Sequence, residues 1–547
     1  MRSPFARLGA LALFCVSCSP FSAFASAYDA KPKLVVILVI DQFRGDYLDR
    51  YRADFKTPNG FNLFLKQGAY FPNCYYDYAD TETAPGHATI GTGAYADGHN
   101  IGVNQWWDPG RSTTHQVSSV EDAEFPLVGT TIDAALGASP RNELASTIGD
   151  EVVLSTGGKA RVFGVSLKDR AAILTSGHAT AGAFWLDHPT GHWISSTYWG
   201  PQLPGWVTAF NSGPRIGEAR HEAGVAEGDF YEKVGATPAA IRYELDFAQA
   251  LVTAEKLGHG EVTNVLTISI SSTDILGHRV GPDAPEQRAL IDALDVDLNG
   301  FFNWLDGNVD GGLNSVVVAL TGDHGIAPRP AVAAAERMPA GVFSSTAVNA
   351  ELEKELNSHY KTAQPVHFVL GGTLPYLQLD ERAFKQISVG EAEAEELVAD
   401  LLPGAMAVTQ EAAKAEAGKP RTLRPATIRQ VYTKTQLAKG DVPNTQDGRL
   451  MLHSYTSNGG WWVLVSPGMY ELSGTATGGT NHFTPYSYDR HVPLAFFGLP
   501  FLPGTYLEQA APVDIAATLA ALLRVNRPTA CVGRVVTEAL RPVVNAR

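Results

Sequence analysis

Two carboxylate and imidazole pairs and one threonine block hold most of the chemistry that this sequence offers. Asp274 and His278 are four residues apart, so one helical turn aims both side chains at a single ion. Asp323 and His324 are adjacent, and a sharp bend after a strand lets neighbours serve one site. Either pair alone also fits a histidine satisfied by a nearby carbonyl. The block Thr81-Glu82-Thr83-Ala84-Pro85-Gly86-His87-Ala88-Thr89 shifts the balance. Pro85 suits the first turn of a helix, which puts Thr83 at or beside the N-cap. Thr83 then reads as an ordinary cap, or as a nucleophile whose hydroxyl is ionised by metal, with the Ala84 N–H and the helix dipole facing a phosphoryl oxygen.

Four apolar runs are placed to position these groups. Leu34 to Ile40 ends at Asp41, Val265 to Ile270 precedes Asp274, Ser315 to Leu320 precedes Asp323 and His324, and His491 to Phe497 closes the series. Continuous β-branched runs of this length read as strands buried on both faces. In an open parallel sheet the polar groups past the strand ends converge on one crevice, where Asp41, Asp274, Asp323 and His324 meet. Pro285 to Asp306 has helical spacing of Leu290, Leu294, Leu298, Phe301 and Leu305. The expected fold is therefore α/β, a mostly parallel sheet with helices on both faces. Two capping insertions are expected, about 175–245 and about 330–475. The second contains a helix from Gly390 to Leu402 and a hairpin turn at Ser457-Asn458-Gly459, between Met451-Leu452-His453 and Trp461-Trp462-Val463.

In combination and order these motifs resemble the alkaline phosphatase superfamily, and within it the exported two-zinc monoesterases that use Thr as nucleophile and carry a Lys/Arg pair. The resemblance runs from the Asp41 strand to Pro512-Val513-Asp514-Ile515-Ala516-Ala517-Thr518-Leu519. It implies two Zn²⁺ per chain, one held by Asp41, Thr83, Asp323 and His324, the other by Asp274, His278 and His482. His482 lies in Gly478-Gly479-Thr480-Asn481-His482, with His491 as its fallback. Asn104 in Gly102-Val103-Asn104 matches the second phosphoryl contact, ahead of Asn100. Lys168 and Arg170, in Leu167-Lys168-Asp169-Arg170, match the Lys/Arg pair. Two apart on an extended segment, they would point the same way and reach one anion. Such a site stays net positive even after Thr83 ionises, which suits a monoester dianion. In the similar nucleotide pyrophosphatase/phosphodiesterase enzymes the same Thr, Asn and metals meet a diester instead, and the Lys/Arg pair tips the expectation toward monoesters. The implied mechanism is in-line attack by Thr83, a phospho-Thr83 intermediate and hydrolysis, with Asn104, Ala84, Lys168 and Arg170 stabilising the equatorial oxygens.

Other readings fit less well. Gly91-Thr92-Gly93-Ala94-Tyr95-Ala96 imitates a dinucleotide fingerprint but follows no strand. A sulfatase would carry a modifiable Cys or Ser followed by Pro and Arg, and Thr83 is followed by Ala84-Pro85-Gly86. The 547 residues hold 57 acidic and 42 basic side chains, a formal charge of -15, with no long Lys/Arg run. That argues against nucleic acid as a dedicated partner. Arg2 and Arg7, the apolar run Leu8 to Val16 and small residues up to Ala27 form a secretory signal peptide over 1–27, too short for a transmembrane anchor. A periplasmic location and, from the resemblance, a monomer are expected. Of the four cysteines, Cys74 and Cys531 remain after cleavage, and sequence leaves open whether they pair.

Overall fold

The computed structural model describes residues 31–417, 423–475 and 478–542. The expected signal peptide lies outside the described residues.

Leu34–Ile40 is buried at all seven positions because it is the middle of a ten-stranded sheet. Val316–Thr321 and Asn264–Ile270 pair with it in parallel on either side. Outward from Asn264–Ile270 come Val162–Ser166, Gly182–Leu186, Trp193–Ser196 and Leu127–Val128. On the other flank lie His491–Phe497, Ala69–Tyr75 and Gly504–Thr505. The strand His491–Phe497 is present as expected, but it runs antiparallel to Val316–Thr321.

Successive side chains of the central strand feed opposite cores, as the period of two requires. Leu34, Val36, Leu38 and Ile40 pack with helices Pro238–Glu255 and Pro285–Asn308. Val35, Ile37 and Val39 pack with helices Ile148–Ser155 and Asp514–Leu523. The sheet is thus covered on both faces, which explains why its central strands show no polar alternation.

Residues 175–245 depart from the sequence expectation. They add two strands, Gly182–Leu186 and Trp193–Ser196, to the main sheet, and Pro238 begins a covering helix. Part of the aromatic content that suggested a cap fills a core: Trp193 stacks on Phe247 at 4.1 Å and on Tyr243 at 5.8 Å.

Much of the segment 330–475 builds a separate lobe. Val369–Gly371, Tyr376–Leu379, Trp461–Pro467 and Ile428–Thr433 form a four-stranded antiparallel sheet. Its own apolar core includes Val348, Leu352 and Leu356 of the helix Ser345–His359, and Val398 and Leu402 of the helix Glu391–Ala417. The expected hairpin is not formed. Met451 to His453 end the helix Gln446–His453, whose N-cap Thr445 accepts a hydrogen bond from the Gly448 N–H, so local capping overrides the turn signal.

Candidate metal centre and active site

Every parallel strand near the middle of the sheet delivers a charged group at its carboxyl end. Asp41 follows Leu34–Ile40, Lys168 follows Val162–Ser166, Asp274 sits in the first turn of the helix after Asn264–Ile270, and Asp323 and His324 follow Val316–Thr321. All five are buried. Thr83 is the first residue of the helix Thr83–Thr92, with Glu82 at its N-cap, and is buried as well. Gly86 lets this helix lie against the Asp323 turn, because a Cβ there would collide with the Asp323 carbonyl oxygen.

The histidines share one arrangement. His324 Nδ1 bonds to the Gly325 carbonyl at 2.9 Å, His278 Nδ1 to Thr480 at 3.0 Å and His482 Nδ1 to Thr81 at 2.5 Å. A ring that donates through Nδ1 keeps a bare Nε2 lone pair, the tautomer of a metal ligand. Gly479 allows the close approach of the His482 loop to the helix Ser272–Val280, where the Thr480 N–H also donates to the His278 carbonyl at 2.9 Å.

Two donor sets result. Asp41, Asp323 and His324 form one; Asp274, His324 and His482 form the other, so His324 borders both. Its Nε2 is 3.6 Å from Asp41 and 3.5 Å from Asp323, and its ring stacks on His482 at 3.7 Å. His278 Nε2 is 3.0 Å from Asp274. Asp41 Oδ1, Asp323 Oδ2 and His324 Nε2 are buried without a hydrogen-bond partner. Three orphaned acceptors turned toward one point are costly unless a cation satisfies them, so these residues fit a metal ion.

Charge coupling tells the same story. Burial, with Asp274 nearby, pushes the Asp41 carboxyl up to about 6, against the pull of Lys168. Burial and Asp41 together hold Asp323 well above its ordinary value. Asp274 is also penalised by burial, yet His278 and Lys168 bring it well below the usual carboxylate range. Burial lowers His324 to about 3, keeping it neutral.

The phosphoryl contacts expected from sequence are arranged differently from that expectation. Lys168 and Arg170 do not lie on one extended segment. Lys168 caps the helix Asp169–Leu174, and Arg170 is inside its first turn. The Lys168 ammonium spans Asp41 and Asp274 at 2.6 Å each. Arg170 Nε is buried and has no hydrogen-bond partner. The Ala84 N–H, expected to face substrate, donates to Asn104 Oδ1 at 2.8 Å, which leaves the Asn104 side-chain NH₂ as the free donor. Asn100 instead ties the inserted lobe down, its Oδ1 accepting from the Ser457 N–H at 2.9 Å. His491 Nε2 is bonded to the Pro72 carbonyl at 2.7 Å, away from the donor sets. Cys74 and Cys531 are both free thiols.

Sequence reasoning missed Glu82 and Gln42. Glu82 Oε2 accepts the Asn104 N–H at 2.7 Å, so Glu82 and Ala84 hold Asn104 from both sides. Gln42 adopts φ 62°, and from there its N–H donates to Asp323 Oδ1 at 2.9 Å while its side chain donates to Asp274 at 2.5 Å. Glu82 lay inside the quoted motif; only its pairing with a residue twenty-two positions away reveals its role.

A parallel sheet with a buried Asp/His donor set and a threonine at a helix start defines a metal-dependent hydrolase of the alkaline phosphatase superfamily. The family model "Type I phosphodiesterase / nucleotide pyrophosphatase" matches residues 35–432, and the chain belongs to that family. It is 31% identical to alkaline phosphatase PafA of Elizabethkingia meningoseptica, over 93% of this chain and 95% of that protein. It is 30% identical to alkaline phosphatase PhoV of Synechococcus elongatus, over 94% of each. The crystal structure of wild-type PafA superimposes with a TM-score of 0.81, covering 93% of this chain and 99% of that one. Among the described residues no helix is long and apolar enough to cross a membrane.

Proposed function

We propose that this chain is an exported, periplasmic alkaline phosphatase that hydrolyses phosphate monoesters to inorganic phosphate and an alcohol through a phospho-Thr83 intermediate, acting as a monomer with two Zn²⁺. The observation that carries the reading is the set of partnerless acceptors Asp41 Oδ1, Asp323 Oδ2 and His324 Nε2, facing the helix that begins at Thr83. Full-length similarity to two alkaline phosphatases supports the choice of reaction.

Asp41, Thr83, Asp323 and His324 would hold one ion, and Asp274, His278 and His482 the other. Bound there, zinc supplies a Lewis acid that lowers the pKa of a coordinated hydroxyl and neutralises a developing alkoxide. Thr83 Oγ1 attacks phosphorus in line with the leaving oxygen, and its position in the first helical turn puts the positive end of the helix dipole behind the transferred group. The Asn104 side-chain NH₂, fixed by Ala84 and Glu82, donates to one equatorial oxygen. Arg170 and Lys168 supply positive charge to the others. Water then cleaves phospho-Thr83 to release phosphate.

The test is hydrolysis of an aryl phosphate monoester and a diester with the same leaving group by purified protein, with metal content measured on the same sample. Monoester preference with about two zinc ions per chain is expected. Diester preference would transfer the chain to the phosphodiesterase reading that the family model also names.

A further inference from the structure

The residue after His482 is in a conformation that its type disfavours. Phe483 has φ 83°, in the left-handed region that glycine enters freely and a bulky side chain does not. Strain of this kind persists where the surroundings over-determine it and clusters at sites of function. Two hydrogen bonds hold the backbone there: the Phe483 N–H donates to Thr81 Oγ1 at 3.3 Å, and His482 Nδ1 bonds to the Thr81 carbonyl. Thr81 is two residues before the nucleophile, so the loop is tied to the start of the catalytic helix.

The ring of Phe483 is not explained by packing. It is half-buried, and among the described residues it belongs to none of the apolar clusters that account for the molecule's core. Among the described residues its one aromatic contact is with His482, at a centroid separation of 4.2 Å and an interplanar angle of 54°. His482 stacks in turn on His324 at 3.7 Å, with His278 at 5.1 Å. A strained aromatic residue, outside any core, therefore extends the row of rings from the donor sets toward solvent.

We propose that Phe483 is a specificity-determining residue, an aromatic platform for the leaving group, and that the enzyme favours aryl over small alkyl phosphate monoesters because of it. This rests on the proposed function: in an in-line displacement by Thr83 the leaving oxygen departs on the side away from Thr83, where the ion assigned to Asp274, His278 and His482 would lie. A flat leaving group departing on that side meets the exposed part of the Phe483 ring, whereas a short alkyl group does not reach it. Aromatic contacts beyond simple burial are small, so the expected discrimination is about two- to tenfold.

The experiment compares wild type, Phe483→Gly and Phe483→Tyr. Phenyl phosphate and ethyl phosphate give the ratio of kcat/KM, and calorimetry with phenylphosphonate and methylphosphonate gives the corresponding ratio of affinities. Phe483→Gly is expected to reduce both aryl-to-alkyl ratios by about two- to tenfold, without lowering Tm, since glycine accepts this φ without strain. Phe483→Tyr is expected to keep the wild-type ratios. Unchanged ratios in Phe483→Gly, or a parallel loss for aryl and alkyl ligands with a lower Tm, would overturn the proposal and leave Phe483 as a brace for His482. So would a wild-type protein that binds phenylphosphonate no more tightly than methylphosphonate. Failure to turn over either monoester would instead strike at the phosphatase reading, and the phosphonate affinities would still report on Phe483.

Discussion

The two halves of the site are built on different principles. Asp41, Lys168, Asp274, Asp323 and His324 stand at or just after the ends of parallel strands that are buried on both faces. Thr83, Asn104, His482 and Phe483 lie outside the sheet, on a helix start and on loops held by hydrogen bonds across long stretches of sequence. The strand-end half supplies most of the buried carboxylates of the candidate metal centre. The loop-borne half brings Thr83, Asn104 and His482 up to them, and the inserted lobe braces it. Ser454 Oγ of that lobe accepts the Ala79 N–H at 2.8 Å, and Gln378 holds Trp107 through its N–H at 2.6 Å and its carbonyl at 3.0 Å. The segment carrying Thr83 and Asn104 is thus anchored at both ends.

Substitutions that remove a reacting group should give the largest effects. Thr83→Ala is expected to lower kcat by about 10³-fold or more while retaining bound metal, as measured by single-turnover kinetics and metal analysis. His324→Ala tests the strand-end half. Because His324 borders both donor sets, this one change should lower the occupancy of both ions and reduce activity by about 10²-fold or more. Loss of a single ion would show that the sets are independent.

The joint between the halves should respond next. Gly86→Ala places a methyl group against the Asp323 carbonyl and is expected to cost about 1–3 kcal/mol of stability by urea denaturation, together with a fall in kcat. Glu82→Ala removes one of the two bonds that hold Asn104. A loss of about 1 kcal/mol, roughly fivefold in kcat/KM, is expected.

The placement of Asp41, Asp274, Asp323 and His324 was legible in sequence because its signal is local: a continuous apolar run with an Asp or His within four residues of its end. The run Leu34 to Ile40 shows this directly, and the helix from Pro285 was legible from its own apolar spacing. Thr83 was legible because Pro85 marks the first turn. What escaped was set by distance. Nothing in the residues around Gln42 announces that it will reach Asp323 and Asp274, and Glu82 gains its role only when Asn104 folds onto it. Lys168 and Arg170 were recognised by motif, but their geometry was misjudged because the strand stops at Ser166 and a helix begins at Asp169. Residues 175–245 were read as an insertion, and the two strands they add to the main sheet were not foreseen, because their aromatic residues look the same in sequence whether they cover a crevice or fill the core under an edge strand.

The smallest expected effect lies away from both halves and serves as a control. Glu143 is buried with neither carboxylate oxygen partnered, and burial, with Asp150 nearby, holds its carboxyl well above the ordinary value. A group whose pKa is raised on folding contributes stability that is fully present below the unfolded carboxylate value and is lost as pH rises through the folded one. Glu143→Gln should therefore flatten the alkaline side of the urea-midpoint profile and leave the pH dependence of kcat/KM in place. A change confined to the kinetic profile would link Glu143 to the site after all.

The central claim is covalent chemistry at Thr83, and acid-quench trapping during turnover of a phosphate monoester addresses it most directly. Peptide mapping by mass spectrometry should find a single phosphoryl group on Thr83, absent in Thr83→Ala. A phosphoryl group on another residue, or none in protein that is turning over substrate, would contradict the account.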